Sequence, residues 1–222
     1  MNKPIRFFIF ATLFLIFTTY IPSQNINSES YFFSIKEIKV ENNQIIDSNE
    51  ISKELKTLLG KNLLFVDKNI IKTSIDKFDF ISSFYVKKIY PATIKIVVLE
   101  KILIGIYLDG INKFYVTDYG DLIDYVDLNL YKDLPSVYGK KNNFYIFFKE
   151  IKKLDLDIGE IKSFFYFDIG RWDIVYKDGK VIKLPVKNYD KSLINFKLFK
   201  NEKNFNKYKI FDYRIKDQLI LR

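Results

Sequence analysis

The sequence contains no cysteine and no histidine. These two absences remove several chemistries together. A Ser-His-Asp or Cys-His constellation, a thiol redox pair, a disulfide framework and the usual Cys/His zinc sites all need residue types that are missing. Only carboxylates, Lys, Tyr, Ser and Thr remain for catalysis. No glycine-rich loop of the kind that cradles phosphate occurs either. What is present is apolar bulk: 222 residues, 48% hydrophobic and 18% aromatic, suffice for one large or two small domains with packed cores and exclude a disordered chain. The 36 basic residues outnumber the 27 acidic ones, for a net charge of +9. The excess is mostly Lys, spread evenly among many Asn, Ile, Phe and Tyr, so it reads as compositional bias and nucleic acid is not an expected partner.

Residues 5–21 (IRFFIFATLFLIFTTYI) form an apolar run with one charge at its edge. As a helix rising about 1.5 Å per residue it spans roughly 26 Å, close to the lower limit for crossing a bilayer. Lys3 and Arg6 mark its start and Pro22, Ser23 and Gln24 follow, so the positive-inside rule leaves the amino terminus cytoplasmic. A secretory signal peptide shares these features, although Ile21-Pro22-Ser23 poorly resembles a small-x-small cleavage site. Both readings export the rest of the chain. Residues 1–24 are thus expected to be a short cytoplasmic tail and a transmembrane anchor, and residues 25–33 a polar spacer.

The exported part divides near Glu100. Residues 34–40 (SIKEIKV) alternate as a strand. Asp47 and Glu50 have capping-box spacing before a helix that runs through Leu59, with Gly60 placed to end it and Ile51, Leu55, Leu58 and Leu59 on one face. After the apolar link 63–66, Asp67 caps a second helix carrying Ile70, Ile71, Ser74, Ile75 and Phe78. Strands at 84–90 and 93–99, turned by Pro91-Ala92, close a strand-helix-helix-strand-strand unit. Strands follow at 103–108, 113–116, 122–125, 161–167, 172–176 and 181–184, with helices at 142–154 and 189–199. In the second of these helices Leu193, Phe196 and Phe199 share a buried face. Asp178-Gly179 is a strong hairpin turn, and residues 209–215 and 218–221 are extended. The fold class is α+β.

Candidate chemistry is thin. Asp118, Asp121, Asp124 and Asp127 recur every third residue, but no calcium-loop pattern accompanies them and their closeness in sequence does not establish opposed hydrolytic carboxylates. Asp155, Asp157 and Glu160 read as a polar loop. No catalytic residue, metal ligand or cofactor is assigned, and the chain is not expected to be an enzyme. Trp172 fits a core aromatic beneath a strand. Asp212 and Arg214 alternate onto one face of the extended segment 209–215, which suits either an internal ion pair or a sheet edge that recruits a partner strand.

The order of motifs resembles the bacterial cell-division family FtsQ/DivIB over nearly the whole chain. An anchor leads into 35–40, Leu63-Leu64-Phe65-Val66-Asp67, Tyr85-Val86, Tyr90-Pro91-Ala92-Thr93 and Glu100-Lys101, similar to the family's POTRA domain. Val116-Thr117-Asp118-Tyr119-Gly120, Leu134-Pro135, Gly139, Arg171-Trp172, Asp178-Gly179 and Asp212-Tyr213-Arg214 follow, similar to its C-terminal β domain. The resemblance implies a POTRA domain over residues 34–102 and a β domain with flanking helices over 103–222, in a single-pass inner-membrane protein of the division septum. It further implies a non-catalytic scaffold for FtsB-like and FtsL-like proteins. The FtsB-like partner would add a strand to the last ordered strand, and Tyr213, Arg214, Ile215, Lys216, Asp217, Leu219 and Arg171 would form the site. Arg214 matches the basic residue that meets an acidic partner side chain; Ile215 stands where an aromatic is often found. The rival classes are a POTRA-bearing export or outer-membrane assembly factor, for which the chain after Glu100 is short and helical, and a periplasmic carboxylate hydrolase.

Overall fold

The computed structural model describes residues 3–19, 33–140 and 144–222. The expected spacer, Phe33 excepted, lies outside the described residues. Helix α1 (Lys3–Thr19) contains most of the amino-terminal apolar run, and Phe7, Phe8, Phe10, Phe14 and Phe17 are each at least 70% exposed. Among the described residues, nothing covers these rings. Among the described residues, no helix is long and apolar enough to cross a membrane.

The first unit comprises β1 (Glu37–Glu41), α2 (Ser48–Glu54), α3 (Lys68–Ile75), β2 (Ile81–Ile89) and β3 (Thr93–Glu100). Its sheet has the order β1-β3-β2, with β1 parallel and β2 antiparallel to the central β3. Alternation along β3 buries Ile94, Ile96 and Val98 against Ile51, Leu55, Leu58, Ile71 and Ile75 from the helical layer. Asp47 caps α2 and Asp67 caps α3, each accepting a 2.8 Å hydrogen bond from the amide two residues on, Asn49 and Asn69. At the first cap the Glu50 amide donates to the Asp47 carbonyl, not to its side chain. The helix also stops at Glu54 and continues as a tight turn over Lys56–Leu58. Leu59 is consequently turned out of the apolar face, while Gly60 adopts φ +81° as its terminating role requires.

Glu100 closes the unit by a route that side-chain periodicity does not show. Its carboxylate accepts from the amides of Gln44, Ile45 and Ile46 at 2.9–3.1 Å, holding the loop between β1 and α2. Ile45 and Phe80 then reach Leu103, Tyr115 and Ile123, a small apolar cluster that joins the first unit to the second.

The second unit is one sheet of nine strands among the described residues, in the order β12-β11-β10-β9-β8-β7-β4-β5-β6. In chain order these are β4 (Leu103–Asp109), β5 (Asn112–Thr117), β6 (Leu122–Asp124), β7 (Ser136–Tyr138), β8 (Ile161–Phe167), β9 (Arg171–Tyr176), β10 (Val181–Lys183), β11 (Ile210–Asp212) and β12 (Ile220–Leu221). The cross-strand row Val137, Phe164, Ile174, Ile182, Phe211, Leu221 faces α4 (Phe144–Lys153) and α5 (Tyr189–Phe199). Trp172, 4% exposed, stacks on Phe147 with ring centroids 4.7 Å apart, so it is a core residue. Strand β7 lies parallel to both β4 and β8 and joins the two halves of the sheet. Its three residues carry too little pattern to be read as a strand. Gly139 follows it at φ +99°, where a Cβ would stand 2.4 Å from the Tyr166 carbonyl oxygen.

The structure corrects the expectation for the last segment. Residues 209–215 do not form one edge strand: β11 covers Ile210–Asp212 only and lies inside the sheet, parallel to β10 on one side and antiparallel to β12 on the other. The reason is a reversal immediately after Tyr213, whose ring is buried. The Gln218 amide donates to the Ile215 carbonyl, Asp217 takes φ +56°, and the chain returns along β11.

Candidate protein-interaction edge

With β11 covered, the free edge of the sheet at this end is β12. The Arg222 amide donates to the Ile210 carbonyl and the Ile210 amide to the Arg222 carbonyl, which makes Ile210 and Arg222 a hydrogen-bonded antiparallel pair. Because such pairs alternate, the neighbouring pair Phe211 and Leu221 is non-hydrogen-bonded, and the Leu221 N–H and C=O point to the open side.

Beside this edge the outer face of the sheet carries charge. Asp173 in β9, Lys183 in β10 and Asp212 in β11 stand directly opposite one another in register. Arg171 Nε donates to Asp173 Oδ1 at 3.1 Å while its guanidinium lies 4.2 Å from the centre of the Phe167 ring. Arg214 grips Asp212 more fully: Nε donates at 2.8 and 3.0 Å, Nη2 at 2.6 Å, and the backbone amide at 3.1 Å. The two carboxylates are almost completely buried yet respond in opposite ways. Hydrogen bonds from Arg214 hold the Asp212 carboxyl below the usual carboxylate range. Burial pushes the Asp173 carboxyl above it, against the pull of Arg171, Lys183 and Arg214.

That contrast has a measurable consequence. Since Asp212 titrates lower in the folded than in the unfolded chain, its stabilisation is complete above the unfolded value near about 4 and is lost as pH falls through the folded value. Asp212→Asn should therefore be less stable than wild type in urea at neutral pH, and the gap should close in acid. A gap that stays constant down to strongly acidic pH would show that the ion pair contributes nothing.

The expected site residues divide on inspection. Arg214 and Arg171 come together on one sheet face, joined through Asp173, Lys183 and Asp212. Ile215, Lys216 and Asp217 are exposed in the turn between β11 and β12. Tyr213 instead faces the core, its hydroxyl donating to Asn195 Oδ1 at 3.0 Å, and Leu219 packs against the same core. Asp173 and Lys183 are additions, and their signal was present in the sequence: counting back from the Asp178-Gly179 turn pairs these two positions. Among the described residues, no acidic group of three or more is placed to hold a metal ion.

A three-stranded sheet under two helices, followed by a long mixed sheet with a basic edge, defines a POTRA unit joined to a β-rich unit. Residues 33–101 match the POTRA domain, FtsQ-type. The chain is 28% identical to the cell division protein FtsQ of Rickettsia bellii over 84% of this chain and 71% of that protein. It is 24% identical to FtsQ of Rhizobium meliloti, over 72% of this chain and 53% of that one. Cell division protein DivIB of Clostridium acetobutylicum is 31% identical across 42% of this chain and 37% of its own length. Residues 33–101 thus carry an FtsQ-type POTRA domain, and the chain is similar to the cell division proteins FtsQ and DivIB.

Proposed function

We propose that this chain is a non-catalytic scaffold of the bacterial division machinery, anchored in the inner membrane by residues 1–24 with the remainder in the periplasm at the septum. It binds an FtsB-like partner, and through it an FtsL-like one, by strand addition to β12. The relatives' names support the division role, and the uncovered phenylalanines of α1 support the anchor. The observation that carries the docking edge is the open backbone of Leu221 beside a sheet face with surplus positive charge. Arg171, Lys183 and Arg214 act together on the two carboxylates of Asp173 and Asp212, three cations to two anions, so one partner carboxylate balances the group. Arg214, still exposed, is the cation best able to turn towards it.

The test measures binding of the full-length chain, in detergent, to its candidate FtsB-like partner. Leu221→Pro deletes an outward donor and should weaken binding more than Leu221→Ala. Arg214→Glu should weaken it about tenfold or more, since the partner carboxylate then meets a like charge. Circular dichroism confirms folding of each variant. Wild-type affinity in both Leu221→Pro and Arg214→Glu excludes β12 as the docking edge.

A further inference from the structure

We infer that one end of the POTRA unit is a lipid-docking surface, seated on the periplasmic leaflet of the inner membrane against anionic phospholipid headgroups. It rests on the reading of α1 as a membrane anchor, and the β12 edge plays no part in it. Three stretches of chain meet at this end, residues 33–36, 59–65 and 88–92. The Leu63 amide donates to the Phe33 carbonyl at 2.8 Å and the Ile35 amide to the Lys61 carbonyl at 2.9 Å, while the Lys36 amide donates to the Ala92 carbonyl at 2.8 Å. Lys88 Nζ donates to the Leu64 carbonyl at 2.8 Å, and the Phe33 ring meets Tyr90 edge-on with centroids 5.5 Å apart.

The side chains that the core does not use at this end are apolar and face outward. Phe65 is 82% exposed and Tyr90 54%, and Leu59, Leu64 and Ile89 are exposed beside them. One such residue is ordinary on a protein surface, but a contiguous group of them marks a site of contact. The same three stretches contain Lys36, Lys61 and Lys88 and no acidic residue. Exposed rings interleaved with lysines suit the headgroup layer of a bilayer, where apolar side chains reach the acyl boundary and ammonium groups meet phosphates. Tyr90 can keep its hydroxyl among the headgroups while its ring lies lower.

Position selects lipid over a protein as the occupant. Strand β3 runs from this end, at Thr93, to Glu100 at the other, about 26 Å at roughly 3.3 Å per residue. At the far end Glu100 holds the loop before α2, and Ile45 and Phe80 meet the second unit. The apolar end is therefore turned away from the second unit, and it is the end at which the chain arrives from α1. Residues 20–32 separate Thr19 from Phe33, and fully extended they reach at most about 50 Å. An anchor at α1 holds Phe33 within that distance of the bilayer, so the tether imposes a high local concentration of lipid and even a weak intrinsic affinity suffices.

Because the sequence contains no cysteine, Leu64→Cys gives the full-length chain a unique attachment point for an environment-sensitive fluorophore. The labelled chain is reconstituted in nanodiscs of phosphatidylcholine and phosphatidylglycerol that include lipid spin-labelled on its acyl chains. Emission should shift to the blue and be quenched by the spin-labelled lipid. The same fluorophore on Ile111→Cys, at a 98% exposed position in the turn between β4 and β5 of the second unit, should report water and stay unquenched. Phe65→Ser should lower the ratio of docked to undocked chain about fivefold or more. Lys61→Gln should lower it about fivefold in these anionic discs and leave it unchanged in discs of phosphatidylcholine alone. An unquenched Leu64→Cys probe on a chain that stays in the disc through a high-salt wash would overturn the docking surface alone and leave the patch to a protein. A chain washed off the disc would overturn the anchor with it. Quenching indifferent to both Phe65→Ser and Lys61→Gln would mean that the tether alone brings the POTRA unit near lipid, and would equally overturn the proposal.

Discussion

Leu55→Asp is expected to unfold the first unit in the otherwise intact chain. Leu55 is fully buried where α2 gives way to the following tight turn, and every buried residue around it is apolar. A carboxylate there finds neither a cation nor a hydrogen-bond donor in its cluster. Leaving such a charge uncompensated costs about 3 to 5 kcal/mol or more, against a total of roughly 5 to 15 kcal/mol for an ordinary domain. The second unit has its own large core, from Val137 through Phe211, and its apolar contact with the first is the small cluster of Ile45 and Phe80 against Leu103, Tyr115 and Ile123. Hydrogen exchange on the full-length chain should show β1, β2 and β3 losing protection while β8, β9 and β10 retain it, with β4 and β5 loosened at their contact with the missing cluster. Loss of protection throughout β8 to β10 would mean that the two units share one cooperative core.

The strand-helix-helix-strand-strand order was legible because each element of the first unit carries a strong local signal. Asp47 and Asp67 occupy true cap positions, and residues 93–99 alternate cleanly. The second unit was legible where strands are long or turns are strong, as at Asp178-Gly179. It was not legible where strands are very short. Strand β7 owes its place to its neighbours, β4 and β8, and not to its own three side chains. Likewise the end of β11 is decided by Tyr213, whose alternating position continues a strand on paper but whose ring is drawn inward to Asn195. The ion pair of Asp212 and Arg214 was one of two readings that period-two spacing left open, and it is made with Arg214 already past the end of β11. The assembly of Arg171, Asp173 and Lys183 beside it was not legible, because it requires knowing that β9, β10 and β11 are adjacent, and β10 to β11 is a parallel pairing made across an intervening helix.

The proposed docking edge depends on one buried core ring. Phe211, at the centre of β11, is fully buried and meets Phe196 edge-on at 5.0 Å, with Phe205 at 5.2 Å and Phe199 at 5.9 Å. These contacts pin β11 to α5 and the segment after it, while β11 and β12 have only three and two residues of strand with which to hold themselves in the sheet. Phe211→Ala removes the pin and should cost about 3 to 5 kcal/mol. The loss should appear first as faster exchange over residues 209–222, since β8 and β9 keep their own aromatic packing around Trp172. Partner binding should then fall below that of Arg214→Ala, although Arg214 and the open side of Leu221 are chemically unchanged, because a strand cannot be added to an edge that is itself detached. Phe211→Leu keeps most of the apolar volume and should restore both protection and binding in large part. Full binding by a destabilised Phe211→Ala chain would show that the partner docks elsewhere.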